Sequence, residues 1–268
     1  MKFIVALSLI LALASAAPKR LVVPVKDARV DKSRIIAGSP AEPGQIPFQV
    51  LDFTETSTGI SYCGAALISS RWVLTAAHCA VGTSSHTLHL GTISSGGDDP
   101  NAVVVYTTSY IVHENYDSYY LLNDVTLVDL VSDVQITDRI RPIRLGSRVV
   151  QPNESVWASG WGNTGDPTVW ISPVLNFVYL TSISNEECAV IHGAWVADST
   201  ICAKGNPVHS TCYGDSGGPL FEFDDASEPY HIGVVSFVSG AGCTSGHPTA
   251  YARTSSFIPW IESHTGPL

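Results

Sequence analysis

The stretch Cys212-Tyr213-Gly214-Asp215-Ser216-Gly217-Gly218-Pro219-Leu220 sets one serine among three glycines. Glycine takes backbone dihedrals that a side chain forbids. That freedom lets the N–H groups of Gly214 and Ser216 aim at one point, which is what a developing oxyanion needs in acyl transfer. Cys212 can anchor the loop covalently. The charge of Asp215, next to the serine, needs a partner. The competing reading is a glycine-rich turn that only happens to hold a serine. It weakens once the rest of the chain supplies a base, a group to orient that base, and a new N-terminus.

Trp72-Val73-Leu74-Thr75-Ala76-Ala77-His78-Cys79 supplies the base. Small alanines let another segment approach the imidazole of His78, and a bridge from Cys79 would hold the backbone beneath it. The other histidines (86, 89, 113, 192, 209, 231, 247 and 264) lack this setting and read as solvated or structural. His209 is kept in view because it lies near the serine loop. Asn123-Asp124-Val125-Thr126-Leu127-Val128 places an acid at the start of an apolar strand. A carboxylate entering a core needs a partner. An imidazole N–H is a suitable one, and the pairing holds the ring in the tautomer that accepts a hydroxyl proton. Alone, Asp124 reads as an ordinary strand-end aspartate; beside His78 and Ser216 it reads as the orienting group.

The chain has 268 residues, 45% of them hydrophobic, with 22 Gly and 16 Pro. That suits one large β-rich domain or two small subdomains. Residues 1–34 hold seven of the 14 basic residues and two of the 24 acidic ones, so residues 35–268 carry a net charge of −15. A surface so acidic disfavours nucleic acid and anionic membranes, which need clustered cations. Met1 to about Ala16 reads as a secretory signal: Lys2, an apolar run over residues 3–13, then Ala14-Ser15-Ala16. The run is too short to span a bilayer, so the product is expected to be soluble and secreted. Export makes disulfides the default for six cysteines, none of them in a C-x-x-C. Residues 17–34 read as a basic propeptide without cysteine, ending at Arg34. The abrupt apolar start Ile35-Ile36-Ala37-Gly38 marks Arg34–Ile35 as the processing bond. The protein domain is then 35–268.

Short apolar runs separated by Gly, Pro, Ser and Asn predict strands over 48–53, 65–68, 72–75, 87–90, 102–112, 125–130, 155–160, 174–182 and 231–238. Their spacing and β-branched content point to an all-β sandwich or barrel. Phe257-Ile258-Pro259-Trp260-Ile261 reads as a short amphipathic helix at the C-terminus. Asn153-Glu154-Ser155 is a glycosylation sequon, usable only in an exposed loop. Asp98-Asp99, in a Gly/Ser-rich loop, could suggest calcium but reads better as a solvated turn. No cofactor and no metal are expected.

These strings, together with Gly160-Trp161-Gly162, resemble the chymotrypsin-fold serine proteases from Ile35 to near the end of the chain. The chain order His, Asp, Ser fits that family and differs from α/β-hydrolases and subtilisin-like enzymes. The resemblance implies two six-stranded antiparallel β-barrels with the active site between them. It implies bridges Cys63–Cys79, Cys188–Cys202 and Cys212–Cys243. It makes Ser216 the nucleophile, His78 the base, Asp124 its orienter, and the Gly214 and Ser216 N–H groups the oxyanion hole. Asp215 would pair with the new amine of Ile35 after a trypsin-like protease cuts at Arg34. Ala37 and Phe237 depart from the commoner Gly and Trp; neither removes a catalytic group.

In this family the pocket base lies six residues before the serine, here Ser210. It offers no charge, which argues against cleavage after Lys or Arg. The walls come from Ser236, Phe237 and Val238 and from Thr249. Val238 and Thr249 stand where glycines open the pocket in chymotrypsin and trypsin, so the pocket looks most like that of the pancreatic elastases, favouring small-to-medium apolar residues. A chymotrypsin-like preference for large apolar or aromatic residues is the alternative. Expected partners are protein or peptide substrates, the activating protease and protein inhibitors, with the enzyme a monomer. One lysine, Lys204, after the propeptide would suit a digestive lumen shared with trypsin. A binding protein on a dead protease fold is the other functional class, but no triad or oxyanion residue is missing. A lipase or esterase shares the Ser-His-Asp chemistry, but its chain order Ser, Asp, His does not match.

Overall fold

The computed structural model describes residues 38–163, 171–205 and 209–268. The chain enters through β1 (Ser39–Pro40), which belongs to the second of two sheets. The first sheet holds β2 (Gln49–Thr56), β3 (Gly59–Leu67), β4 (Trp72–Thr75), β5 (Thr83–Leu90), β6 (Val103–Thr107), β7 (Tyr110–Val112) and β8 (Thr126–Asp129). Its order is β6-β5-β2-β3-β4-β8-β7, antiparallel throughout. The second contains β9 (Arg144–Leu145), β10 (Ser155–Gly160), β11 (Asn176–Ile183), β12 (Thr200–Lys204), β13 (Pro219–Phe223), β14 (Pro229–Phe237) and β15 (Thr249–Arg253). Its six long strands run β11-β10-β13-β14-β15-β12 and close where β12 pairs β11.

The all-β expectation holds, with one correction. Only the second sheet closes as a six-stranded barrel; the first is a half-barrel whose ladder ends at β6 and β7. These ends are consecutive segments of the chain, broken at Thr108-Ser109, where one strand over 102–112 was expected. The break has a local cause: Thr107 Oγ1 accepts the Ser109 N–H at 3.0 Å, a side-chain turn that competes with the ladder. The same hydroxyl donates to Asp129 O, and Asp129 N donates to Ser109 O, so the bend stays stitched to β8.

Successive side chains of a strand point to opposite faces, and here both faces are covered. Val50, Ala65, Leu67, Val73, Leu88 and Val128 fill the first half-barrel. Their strand neighbours Leu51, Ala66, Leu74 and Leu127 face the other way, into a shared core with Trp161, Phe177, Phe221 and Val234 from the second barrel. Phe48 meets Phe221 edge to face at 5.1 Å between centroids. Burial on both sides is why these segments read as continuous apolar runs instead of alternating ones. The closed barrel has its own interior of Val156, Ala158, Val178, Leu180, Ile201, Leu220, Val235 and Tyr251.

The described residues add three α-helices: α1 (Ala77–Ala80), α2 (Asn185–His192) and α3 (Thr254–Thr265). α3 starts three residues before the predicted helix and packs Phe257 and Ile261 into the shared core. α2 carries a start signal that composition hid: Ser184 Oγ accepts the Glu187 N–H at 3.1 Å, the S-x-x-E capping pattern. The three implied disulfides are present, and no free cysteine remains. They tie β3 to α1, α2 to β12, and the serine loop to the loop after β14.

The shared core should dominate stability. Leu74→Ala, at a fully buried position, is expected to cost about 3 kcal/mol. Ile60→Ala, at a position 76% exposed, should stay within about 0.5 kcal/mol. Urea unfolding of the two variants side by side checks this; equal losses would contradict the packing described.

Candidate active site

α1 follows β4 directly, and Ala76, Ala77 and Ala80 are fully buried. Their small size lets the chain before β8 lie against His78. Asp124 sits there, fully buried, after Asn123 with φ +55°. Asparagine tolerates that left-handed conformation, and its side-chain amide donates to Asn115 O at 2.8 Å. Three donors converge on the Asp124 carboxylate. Oδ1 accepts the His78 backbone N–H at 2.8 Å. Oδ2 lies 2.8 Å from His78 Nδ1 and accepts the Ser236 hydroxyl at 2.6 Å. One donor set comes from the first sheet, the other from the second.

Ser236 lies in the segment read as pocket wall, and its hydroxyl also serves Asp124, a contact the sequence reading does not anticipate. The His78 side chain is 26% exposed. Burial opposes its charge, but the hydrogen bond and charge of Asp124 outweigh that, so its pKa lies above the ordinary histidine value. No hydrogen bond joins Ser216 Oγ to His78 Nε2 in this structure. Such contacts are commonly long without substrate and tighten in the complex.

The serine loop bends tightly at Gly217, φ +79°. A Cβ there would collide with Thr75 Oγ1 and Gly64 O. Gly64 N donates to Ser216 O at 2.8 Å, and Gly217 N to Val235 O at 2.8 Å, so both sheets hold the loop. Gly214 has φ +96°. Among the described residues, no acceptor takes the N–H of Gly214 or of Ser216.

Asp215 lies beneath this loop, fully buried. It accepts the Gly162 N–H on Oδ1 and the Cys212 N–H on Oδ2, each at 2.8 Å. Gly160 and Gly162 are glycines for a steric reason: a Cβ at either would strike the Asp215 carboxylate. Among the described residues Asp215 has no cationic partner. Burial raises its pKa from 3.8 to about 6, against the two backbone N–H bonds. Arg34 and Ile35 lie outside the described residues.

Ser210 and Thr249 are both buried and meet at the expected pocket floor. The Ser210 hydroxyl donates to Thr211 O at 2.8 Å, leaving its oxygen 3.1 Å from Thr249 Oγ1. Val238 packs on the Cys212–Cys243 bridge. Phe237 packs with Ile183, Cys188, Cys202 and Ala250 and meets the rings of His192 and Trp195. Asn153 stands exposed in a turn with φ +70°. Asp98 and Asp99 are tied up with Ser94, Asn101 and Arg139, the solvated-turn arrangement. No described helix is long and apolar enough to cross a membrane.

The Trypsin family profile matches residues 35–261. A collagenase of Hypoderma lineatum is 38% identical over 99% of both chains. A brachyurin of Leptuca pugilator is 35% identical over 87% of this chain and 99% of its own. The solved HL collagenase structure superposes with a TM-score of 0.78 at 35% identity, covering 87% of this chain and 100% of that one. The fold and these relatives define a serine endopeptidase of the chymotrypsin fold. The chain belongs to the trypsin family, and its substrates are proteins.

The folded pKa of Asp215 exceeds its unfolded value. Its contribution to stability is therefore full below 3.8 and lost as pH rises through about 6. In the uncut chain, Asp215→Asn should gain stability over the unchanged protein as pH rises across that window. Thermal midpoints measured against pH test this; parallel curves would contradict it.

Proposed function

We propose that Ser216, His78 and Asp124 act as one catalytic unit in a secreted endopeptidase. Ser216 Oγ attacks the scissile carbonyl carbon while its proton passes to His78 Nε2. The tetrahedral oxyanion sits on the Gly214 and Ser216 N–H groups. His78 then hands the proton to the leaving amine, and water repeats the cycle on the acyl-enzyme. Asp124 holds the ring and stabilises the imidazolium. These roles are those established for the family's triad, carried over to these residues. The supporting observation is the Asp124 carboxylate binding both His78 nitrogens, main chain and Nδ1, beside a loop with two uncommitted N–H groups.

Specificity follows from the hydroxyl pair across the pocket floor. Thr249 reaches Ser210, so the pocket is shallow and uncharged. That supports a preference for small-to-medium apolar residues before the cut over the chymotrypsin-like alternative. One relative is named a collagenase, so collagen is the first protein substrate to try.

The enzyme is made as a zymogen. Cutting Arg34–Ile35 frees an amine that pairs with Asp215. Two observations support this: a buried carboxylate with no cation among the described residues, and a family match that begins at Ile35. Three disulfides and the leader over residues 1–16 support secretion. Protein inhibitors are expected partners, and the scarcity of lysine suits a digestive lumen.

Ser216→Ala should lower kcat by about 10⁴ or more, and adding His78→Ala should cost little further, because the residues act as a unit. Near-normal hydrolysis by Ser216→Ala would sink the mechanism. A peptide-library profile should favour Ala, Val or Leu over Phe and Tyr, and Val238→Gly with Thr249→Gly should move it toward aromatics. Best cleavage after Phe, Tyr or Arg by the unmutated enzyme would reject the pocket reading. Arg34→Gln should stay inactive after trypsin treatment.

A further inference from the structure

A second buried Asp–His pair lies inside the first half-barrel. Asp52 on β2 and His86 on β5 share the interior face with Val50 and Leu88, and neither side chain is exposed. His86 Nδ1 lies 2.8 Å from Asp52 Oδ2. On the other side, His86 Nε2 is 3.5 Å from Thr83 Oγ1. The Thr83 hydroxyl already donates to Ala80 O at 2.9 Å, so toward His86 it can only accept. Nε2 therefore carries a hydrogen toward Thr83, whether the proton shared at Nδ1 rests on the ring or on Asp52. Tyr110 fixes Thr83 from a third direction: its hydroxyl donates to Thr83 O at 2.9 Å, and its ring meets His86 edge-on at 4.9 Å.

Ala80 O belongs to the last turn of α1, where carbonyls lack helical partners. Thr83 supplies that partner to Ala80, which lies two residues past His78. α1 is also held by the Cys63–Cys79 bridge and by the His78 backbone N–H on Asp124 Oδ1. We propose that Asp52, His86 and Thr83 are positioning residues that set the orientation of α1 and so aim the His78 imidazole. Both of these ties sit at residues 78 and 79; the Thr83–Ala80 bond adds a third point at the end of the helix and limits pivoting about them. The inference rests on His78 being the catalytic base.

The test uses activated enzyme and a soluble peptide substrate. Thr83→Val removes the link to Ala80 while leaving the buried pair in place. It should lower kcat about tenfold through misorientation, with KM within about twofold because the substrate pocket is untouched. Thr83→Ser, which keeps the hydroxyl, should restore kcat. Asp52→Asn and His86→Gln should give the same split between kcat and KM, read well below their unfolding temperatures with near-UV circular dichroism as the check on folding. If neither folds, the Thr83 variants decide. Full kcat in folded Thr83→Val, with only a lowered Tm, would mean a structural role alone and overturn the proposal. An active Ser216→Ala would instead sink the triad itself, so the two failures are distinct.

Discussion

A buried carboxylate with no cation among the described residues organises this molecule. Asp215 occupies the seam under the serine loop, where only glycines at 160 and 162 leave it space. Two backbone N–H groups hold it, those of Gly162 and Cys212. That is enough to place the side chain but not to offset its burial, as the rise of its pKa to about 6 records. Its neighbours in the chain are Gly214 and Ser216, so whatever neutralises Asp215 also sets the loop that carries the proposed nucleophile. An amine freed at residue 35 is the partner proposed. The switch then needs no moving domain, only one ion pair formed in a dry place.

Asp124 is the complementary constraint. It takes donors from α1, which follows β4 of the first sheet, and from β14 of the second. The proposed triad therefore forms only when the two halves are packed, and the shared core around Leu74, Leu127, Phe221 and Val234 does that packing. The division is physical. Apolar area brings the halves together without direction, and a few buried carboxylates specify the register in which they meet. The Cys63–Cys79 bridge and Thr83 then limit how α1 can move against that register.

The legible parts of the sequence were those with strong local chemistry. The serine loop, the alanine-flanked His78 and the strand-leading Asp124 each carry a residue that makes poor sense alone. The disulfides became legible only through the family resemblance. Strands β12, β13 and β15 were not, because Thr-Ile-Cys-Ala-Lys, Pro-Leu-Phe-Glu-Phe and Thr-Ala-Tyr-Ala-Arg are short and hold small or charged residues. They are strands because the barrel must close, which is a tertiary demand. The second role of Ser236, its hydroxyl on Asp124, was not legible because nothing local tells which way that side chain points. Asp52 was within reach: it lies inside a predicted strand, and the reasoning that found Asp124 a partner applies to it equally.

The coupling of Asp215 to the serine loop can be read directly. A fluorophosphonate labels a serine only when its base and oxyanion hole are both formed. Labelling should be measured on the intact chain and again after cutting at Arg34–Ile35, with the adduct located by peptide mass spectrometry. The account predicts one adduct per chain, on Ser216, appearing only after the cut. Equal labelling of Ser216 in the uncut chain, or an adduct on another serine, would contradict it.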